Sequence, residues 1–181
     1  LKEKTARAAV TLVKDQAGLI AKIKAGKGKM TYININGPKE PYLYTGLKKI
    51  YPALELNNLP KKTNAAVAKA MVEKQNDAEV IIACIPDLAI YPGKDGAYGL
   101  DTAQISSLLQ LSQKKNVIFA ILGNAYLLKN ICTAKSVIVG YEDDNYTEEA
   151  VLEVLTGKLK ANGRLPVKPC VESARESGVK K

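Results

Sequence analysis

The 181-residue chain has no histidine and no tryptophan, and one phenylalanine, Phe119, against nine tyrosines. Without histidine there is no Ser-His-Asp or Cys-His nucleophile system, no His-ligated metal site and no imidazole acid/base. Arginine is scarce, with Arg7, Arg164 and Arg175 among 27 basic residues. That weighs against planar, bidentate reading of bases and phosphates. Cys84, Cys132 and Cys170 show no C-x-x-C spacing, and an odd number weighs against a full disulfide framework. Cys84 lies in an apolar run and reads as a core residue. No apolar run reaches the roughly 18 residues of a membrane span, and no signal peptide is visible. There is no G-x-x-x-x-G-K-[ST] loop, no G-x-G-x-x-G after a strand and no G-x-S-x-G elbow. These absences exclude most complete catalytic sets, and no metal or cofactor is expected.

What is present is globular. Hydrophobic residues make up 46% and charged residues 25%, enough for one domain with its own core. The net charge of +9 is unevenly placed. Residues 1–62 hold 13 Lys/Arg against 4 Asp/Glu, and residues 63–181 hold 14 of each. Part of the excess is the run Lys22, Lys24, Lys27 and Lys29 around Gly26 and Gly28. It reads as a solvated turn or as a phosphate-binding patch. No aromatic residue lies between Lys22 and Tyr32 to stack a base. The basic third reads best as one face turned toward an acidic protein domain or a glycan. A nucleic-acid-binding domain is the competing reading, and it would require steeply salt-dependent binding to DNA.

Six short runs read as strands: Val10–Val13, Met30–Ile35, Leu54–Leu56, Val80–Ile85, Val117–Leu122 and Ser136–Val139. The last three are nearly continuous in apolar residues, the pattern of strands covered on both faces. Helical patterns fall at Thr45–Tyr51, Thr63–Asn76, Asp101–Gln113 and Thr147–Thr156, and the chain opens in a charged, helix-like stretch. Asp101 with Gln104 is close to a capping box, and Thr63 and Thr147 are N-cap candidates. Glu148 and Glu149 fall in a first helical turn. Strand alternating with helix predicts an α/β fold, a three-layer αβα sandwich with a mostly parallel sheet of about six strands, flavodoxin-like. Residues 1–167 form this domain, and 168–181 read as a polar tail or linker. The start at Leu1, inside a helical pattern, reads as a segment of a longer protein.

In open α/β sheets, sites form beyond the carboxyl ends of the strands. The longest such loop is 86–99, which carries Asp87, Tyr91, Lys94, Asp95 and Tyr98. A loop of that length is either functional or an ordered surface loop. Gly123–Tyr126 follows another strand. Glu142, Asp143 and Asp144 crowd a third loop and read as a solvated turn feeding a helix N-terminus. A flavodoxin-like nucleotide or flavin module is compatible with the sandwich, but no Gly-rich phosphate loop supports it.

Several segments, taken in order, carry a resemblance. Leu122-Gly-Asn-Ala-Tyr-Leu-Leu128 is similar to the G-N-P-Y-x-L segment in the second domain of glycoside hydrolase family 3. Val137-Ile-Val-Gly-Tyr-Glu-Asp143 is similar to that domain's strand ending in Tyr-Glu. Gly163-Arg-Leu-Pro-Val167 resembles its closing G-x-L-P-V. Ala8-Ala-Val-Thr-Leu-Val-Lys-Asp15 resembles its entry strand. Bacterial β-N-acetylhexosaminidase-like members resemble the chain most. Ala125 stands where the family usually has Pro.

The resemblance implies an accessory C-terminal domain that packs on a catalytic (β/α)8 barrel absent from this chain. It implies a parent that hydrolyses terminal β-linked N-acetylhexosamines with retention, from a glycan such as peptidoglycan or chitin. In the family the Asp nucleophile lies on the barrel. The N-acetylglucosaminidase subgroup takes its acid/base from a His-Asp pair on a barrel loop, whereas β-glucosidase-like members take a Glu from the second domain. No Glu occurs between Glu79 and Glu142, which agrees with the first subgroup. The chain is then expected to be inactive alone, with no catalytic residue of its own. Asp87, Tyr91, Lys94, Asp95 and Tyr98 are expected to border the parent's substrate cleft. The expected partners are the barrel and its glycan, not nucleic acid or a membrane span. A periplasmic or cell-envelope parent is compatible with this, although the residues name no compartment.

Overall fold

The computed structural model describes residues 1–170. These form one sheet of six strands: β1 (Thr11–Asp15), β2 (Met30–Ile35), β3 (Glu55–Leu59), β4 (Val80–Ile85), β5 (Val117–Leu122) and β6 (Ser136–Gly140). Their spatial order is β1-β6-β5-β4-β2-β3. β2 to β6 are parallel, and β1 closes the edge antiparallel to β6 with a register shift between Leu12 and Lys14.

The apolar runs behave as strands covered on both sides. In β4, Ile81, Ala83 and Ile85 enter one layer while Val80, Ile82 and Cys84 enter the other. All six residues are buried, as are all six of β5. A sheet whose two faces are both apolar must be covered twice. On one face lie α1 (Lys2–Ala9), α2 (Leu19–Ala25), α3 (Tyr42–Ile50) and α6 (Asn145–Leu155). On the other lie α4 (Ala65–Lys74), α5 (Thr102–Ser112) and a 3-10 turn at Ala125–Asn130. The three-layer αβα sandwich with a mostly parallel sheet is therefore the observed fold.

Local differences have local causes. The basic run at 22–29 is partly helical: α2 buries Leu19 and Ile23 at i, i+4 and leaves Lys22 and Lys24 outside. With only seven residues between Gly18 and Gly26, both left-handed, it shows too little periodicity to be read. Asp15 holds its start by accepting from the Leu19 and Ile20 amides at 2.8 and 3.1 Å. The Asp101–Gln104 capping box is formed. At the other two helices the caps are Asn64 and Asp144 rather than Thr63 and Thr147. Thr63 instead donates to the Pro60 carbonyl at 2.7 Å.

The closing motif has a physical role. After α6 the chain runs around the β1 edge of the sheet. Leu159 and Ala161 pack on one layer, and Leu165, Val167 and Cys170 pack on the other. Gly163 makes the crossing, its amide donating to the Val10 carbonyl at 3.2 Å. A Cβ there would collide with the backbone carbonyl of Ala9. Cys170 is bonded to Cys132, with 5.6 Å between the Cα atoms. That pairing was not expected from the sequence, whereas Cys84 is the core residue predicted, with its thiol free. The rest of the stretch read as a tail, 171–181, lies outside the described residues.

Candidate functional site

The loops beyond the carboxyl ends of the parallel strands form one rim. β2 leads to Asn36, β3 to Lys62 and β4 to Asp87, and all three have positive φ, at 72°, 65° and 53°. Tyr98, at φ 51°, completes the set of non-glycine residues in that region among the described residues. Asn and Asp tolerate this conformation through local hydrogen bonds, whereas Lys and Tyr do so at a cost. Four such residues on one rim is the clustering expected where surroundings over-determine the backbone.

Hydrogen bonds join the rim. The Asn36 side chain donates to the Asp87 carbonyl at 3.0 Å, and the Asp87 amide donates to the Asp143 carboxylate at 2.9 Å. Gln104, fully buried, donates to the Leu59 carbonyl at 3.1 Å, and Asp101 accepts from the Lys62 amide at 2.7 Å. The loops after β2, β3, β4 and β6 are thus held in one arrangement.

Loop 86–99 is itself closed. The Ala89 amide donates to the Tyr98 carbonyl at 2.9 Å, and the Tyr98 amide to that of Pro92 at 3.2 Å. Two asparagines beyond β5 clamp it from outside. Asn124 donates to the Ile90 carbonyl at 2.9 Å and Asn130 to that of Gly96 at 3.1 Å. Asn124 also accepts from the Tyr126 amide at 3.0 Å, starting the 3-10 turn. One Asn in the Gly-Asn-Ala-Tyr segment therefore both starts that turn and fixes the neighbouring loop.

The five sequence-derived candidates divide by burial. Asp87, Tyr91, Lys94 and Asp95 are exposed. Tyr91 is 79% exposed beside Ile90, and Tyr126 across the clamp is 49% exposed. Tyr98 is only 4% exposed and belongs to the core, with the Lys129 ammonium 5.4 Å from its ring centroid. It forms the wall that supports the loop, while the other four face outward. Two clefts flank the rim. One, of about 210 Å³, lies between α1 and the end of β6, lined by Ala6, Val10, Tyr141, Glu142 and Asp144. A more open one, of about 480 Å³, lies at Lys62, Asp101 and Ser106. Neither is lined by the tip of loop 86–99.

The third acidic loop does feed a helix. Asp144 accepts from the Thr147 amide at 2.8 Å, and that bond holds its carboxyl below the usual range. Glu148, read from the sequence only as a first-turn charge, has a further role. It is buried and accepts from the Leu43 amide at the start of α3, at 2.7 Å. Burial pushes its carboxyl up, and Asp143 and Asp144 push the same way against the Leu43 bond. The partners are 105 residues apart, so no sequence spacing signals the contact.

No family model and no curated protein matches the sequence. Solved structures do match its shape. A fungal multi-domain family 3 β-N-acetylglucosaminidase superposes with a TM-score of 0.74 at 20% identity, covering 94% of this chain and 19% of the other. A family 3 β-N-acetylglucosaminidase from Paenibacillus gives 0.70 at 15%, covering 94% and 32%. This fold is shared with part of the glycoside hydrolase family 3 enzymes. A β-glucosidase from Listeria innocua shows the same fold, with a TM-score of 0.66 at 11% identity, 87% and 25% covered. The chain therefore spans 19–32% of the length of these enzymes.

Proposed function

We propose that the chain is the accessory αβα domain of a family 3 glycoside hydrolase of the β-N-acetylhexosaminidase type. It packs on a catalytic (β/α)8 barrel that lies outside the sequence. The observation that carries the reading is coverage: nearly the whole chain fits, and it fits a minor share of each enzyme. The ordered motif resemblances agree, and two of them have structural work here, Asn124 as loop clamp and Gly163 at the edge crossing.

The chain's own chemistry supports an accessory part. It lacks histidine, and three acidic residues of the rim, Asp101, Asp143 and Asp144, are engaged as caps and backbone acceptors. The outward residues Asp87, Tyr91, Lys94 and Asp95, supported by Tyr98, would border the substrate cleft of the parent, with N-acetylhexosamine-containing glycan as the substrate class. A rigid clamp is what such a role requires, because a bordering group must be held in place by its support.

Two measurements test this. The purified chain is expected to give no turnover of p-nitrophenyl N-acetylglucosaminide, and sustained turnover would overturn the reading. In the full-length enzyme, Tyr91→Ala and Asp95→Ala are expected to raise KM several-fold with a smaller effect on kcat. Unchanged kinetics would reduce the loop to a structural role.

A further inference from the structure

The basic third of the sequence folds into a feature separate from the loop rim. Three helix carboxyl ends meet at the opposite edge of the sheet. A Cβ on Gly26, which ends α2, would lie 3.0 Å from the Tyr51 ring that follows α3. A Cβ on Gly157, just past α6, would lie 2.8 Å from the Lys24 side chain of α2. These contacts gather Lys22, Lys24, Lys27, Lys48, Lys49 and Lys158. All but the half-buried Lys48 are exposed.

The ordinary explanation is that lysines offset the negative ends of helices. The magnitudes do not allow it to account for all six. A helix end carries roughly half an elementary charge. Three ends therefore absorb about one and a half of the six positive charges. None of the six ammonium groups has a salt-bridge partner among the described residues. Lys48 donates to the Leu54 carbonyl at 2.8 Å, which leaves its charge uncompensated. Glu153 is within electrostatic reach of Lys158 but holds Arg7 through a 2.7 Å hydrogen bond. The nearby acids do not balance the rest: Glu79, whose carboxylate lies against Gly28, offsets one charge, while Asp77 is held on Lys29 at 2.9 Å and Glu55 lies 4.0 Å from the same ammonium.

The chemistry of the patch selects its partner. It contains lysine and no arginine, so it offers spread point charges rather than a fork for one phosphate. Neither of the two clefts lies there. It carries an apolar element, Ile50 at 41% exposure next to Tyr51. Lysines around an exposed aliphatic side chain and a tyrosine fit the boundary between lipid headgroups and acyl chains. No described helix is long and apolar enough to cross a membrane. We infer that this edge is a peripheral docking surface for an anionic lipid bilayer. It turns the opposite loop rim away from the membrane.

The test uses the chain as it stands, in co-sedimentation with vesicles at about 50 mM salt. Vesicles with about 30% phosphatidylglycerol in phosphatidylcholine are expected to bind it, and pure phosphatidylcholine is not. About 0.5 M salt is expected to abolish binding, since the Debye length then falls well below 10 Å. Each lysine near an anionic surface contributes roughly fivefold. Lys22→Gln, Lys24→Gln and Lys27→Gln together should weaken partitioning on the order of 100-fold. The same change at Lys39, Lys61 and Lys62, exposed on the loop rim at the other end of the strands, should leave it within about twofold, and circular dichroism melts verify that both triples fold. Ile50→Ser should weaken vesicle binding several-fold while leaving binding to heparin unchanged. The inference is overturned if anionic vesicles fail to bind at low salt. It is also overturned if the first triple binds like the parent, or if duplex DNA displaces the chain from vesicles at equal charge concentration.

Discussion

At the scale of single residues, the structure assigns work to side chains that sequence patterns leave mute. Glu148 bridges α6 to the first turn of α3, and it does so buried. Its replacement by Ala leaves the Leu43 amide without an acceptor, at an expected cost of about 1–3 kcal/mol. Glu148→Gln keeps an acceptor oxygen and removes the buried charge. The sign of the pH effect follows from the raised carboxyl. The stability that Glu148 contributes is fully present below the unfolded pKa, near the ordinary 4.5, and is lost as pH rises through the folded value. Glu148→Gln is therefore expected to melt no lower than the parent at pH 7 and to lose part of its advantage on acidification. Melting curves of both proteins between pH 4 and 8 check this, and parallel curves would refute the assignment.

Gly163 is the other residue whose identity only tertiary structure explains. Any side chain there meets the backbone of the segment leading into β1. Backbone cannot yield as a side-chain tip can, so Gly163→Ala is expected to cost roughly 1–3 kcal/mol or more. Urea denaturation measures it, and an unchanged midpoint would show that the crossing has room.

At the scale of elements, the segment after α6 acts as a strap over the outer edge of β1. Its apolar anchors, Leu165 and Val167, sit on the face opposite the one it leaves. The Cys132–Cys170 bond closes a loop with a sequence separation of 38. A bond closing a loop of that order stabilises a native state by about 2–4 kcal/mol. Cys132→Ser with Cys170→Ser, or a dithiol reductant, is expected to lower Tm by about 5–15 °C, at roughly 2–4 °C per kcal/mol in a domain of this size. Calorimetry with and without reductant gives the number, and Cys84, buried in the core, should remain unreactive until unfolding. The same strap covers an edge strand, which would otherwise offer unpaired backbone groups to other chains.

Element boundaries also show how far local reasoning reaches. The capping box at Asp101–Gln104 was legible because both of its bonds lie within one turn. The periodicity predicts the start of α3 at Thr45, whereas it lies at Tyr42. Pro41 and the distant Glu148 define that start, and no side chain of its own caps it. The 3-10 turn at Ala125–Asn130 leaves no trace in the sequence, because six residues show no helical period.

At the scale of the whole molecule, the continuous apolar runs of β4, β5 and β6 determined a sheet buried on both faces. The rule that βαβ crossovers are right-handed and short leaves few ways to arrange it. Sequence alone also determined where charge accumulates and that the chain carries no imidazole. The list of loop candidates came from the same source, because a long loop after a strand is visible in one dimension. Tertiary structure decided the rest. It placed Tyr98 in the wall and the other four candidates outside, and it set Asn124 and Asn130 as clamps across 34 residues each. It paired Cys132 with Cys170 and brought three helix ends and six lysines to one edge. The division has one physical cause. Periodicity, capping and burial act between near neighbours and leave a local trace, whereas a hydrogen bond or a charge cluster joining distant segments depends on where the folded sheet carries them.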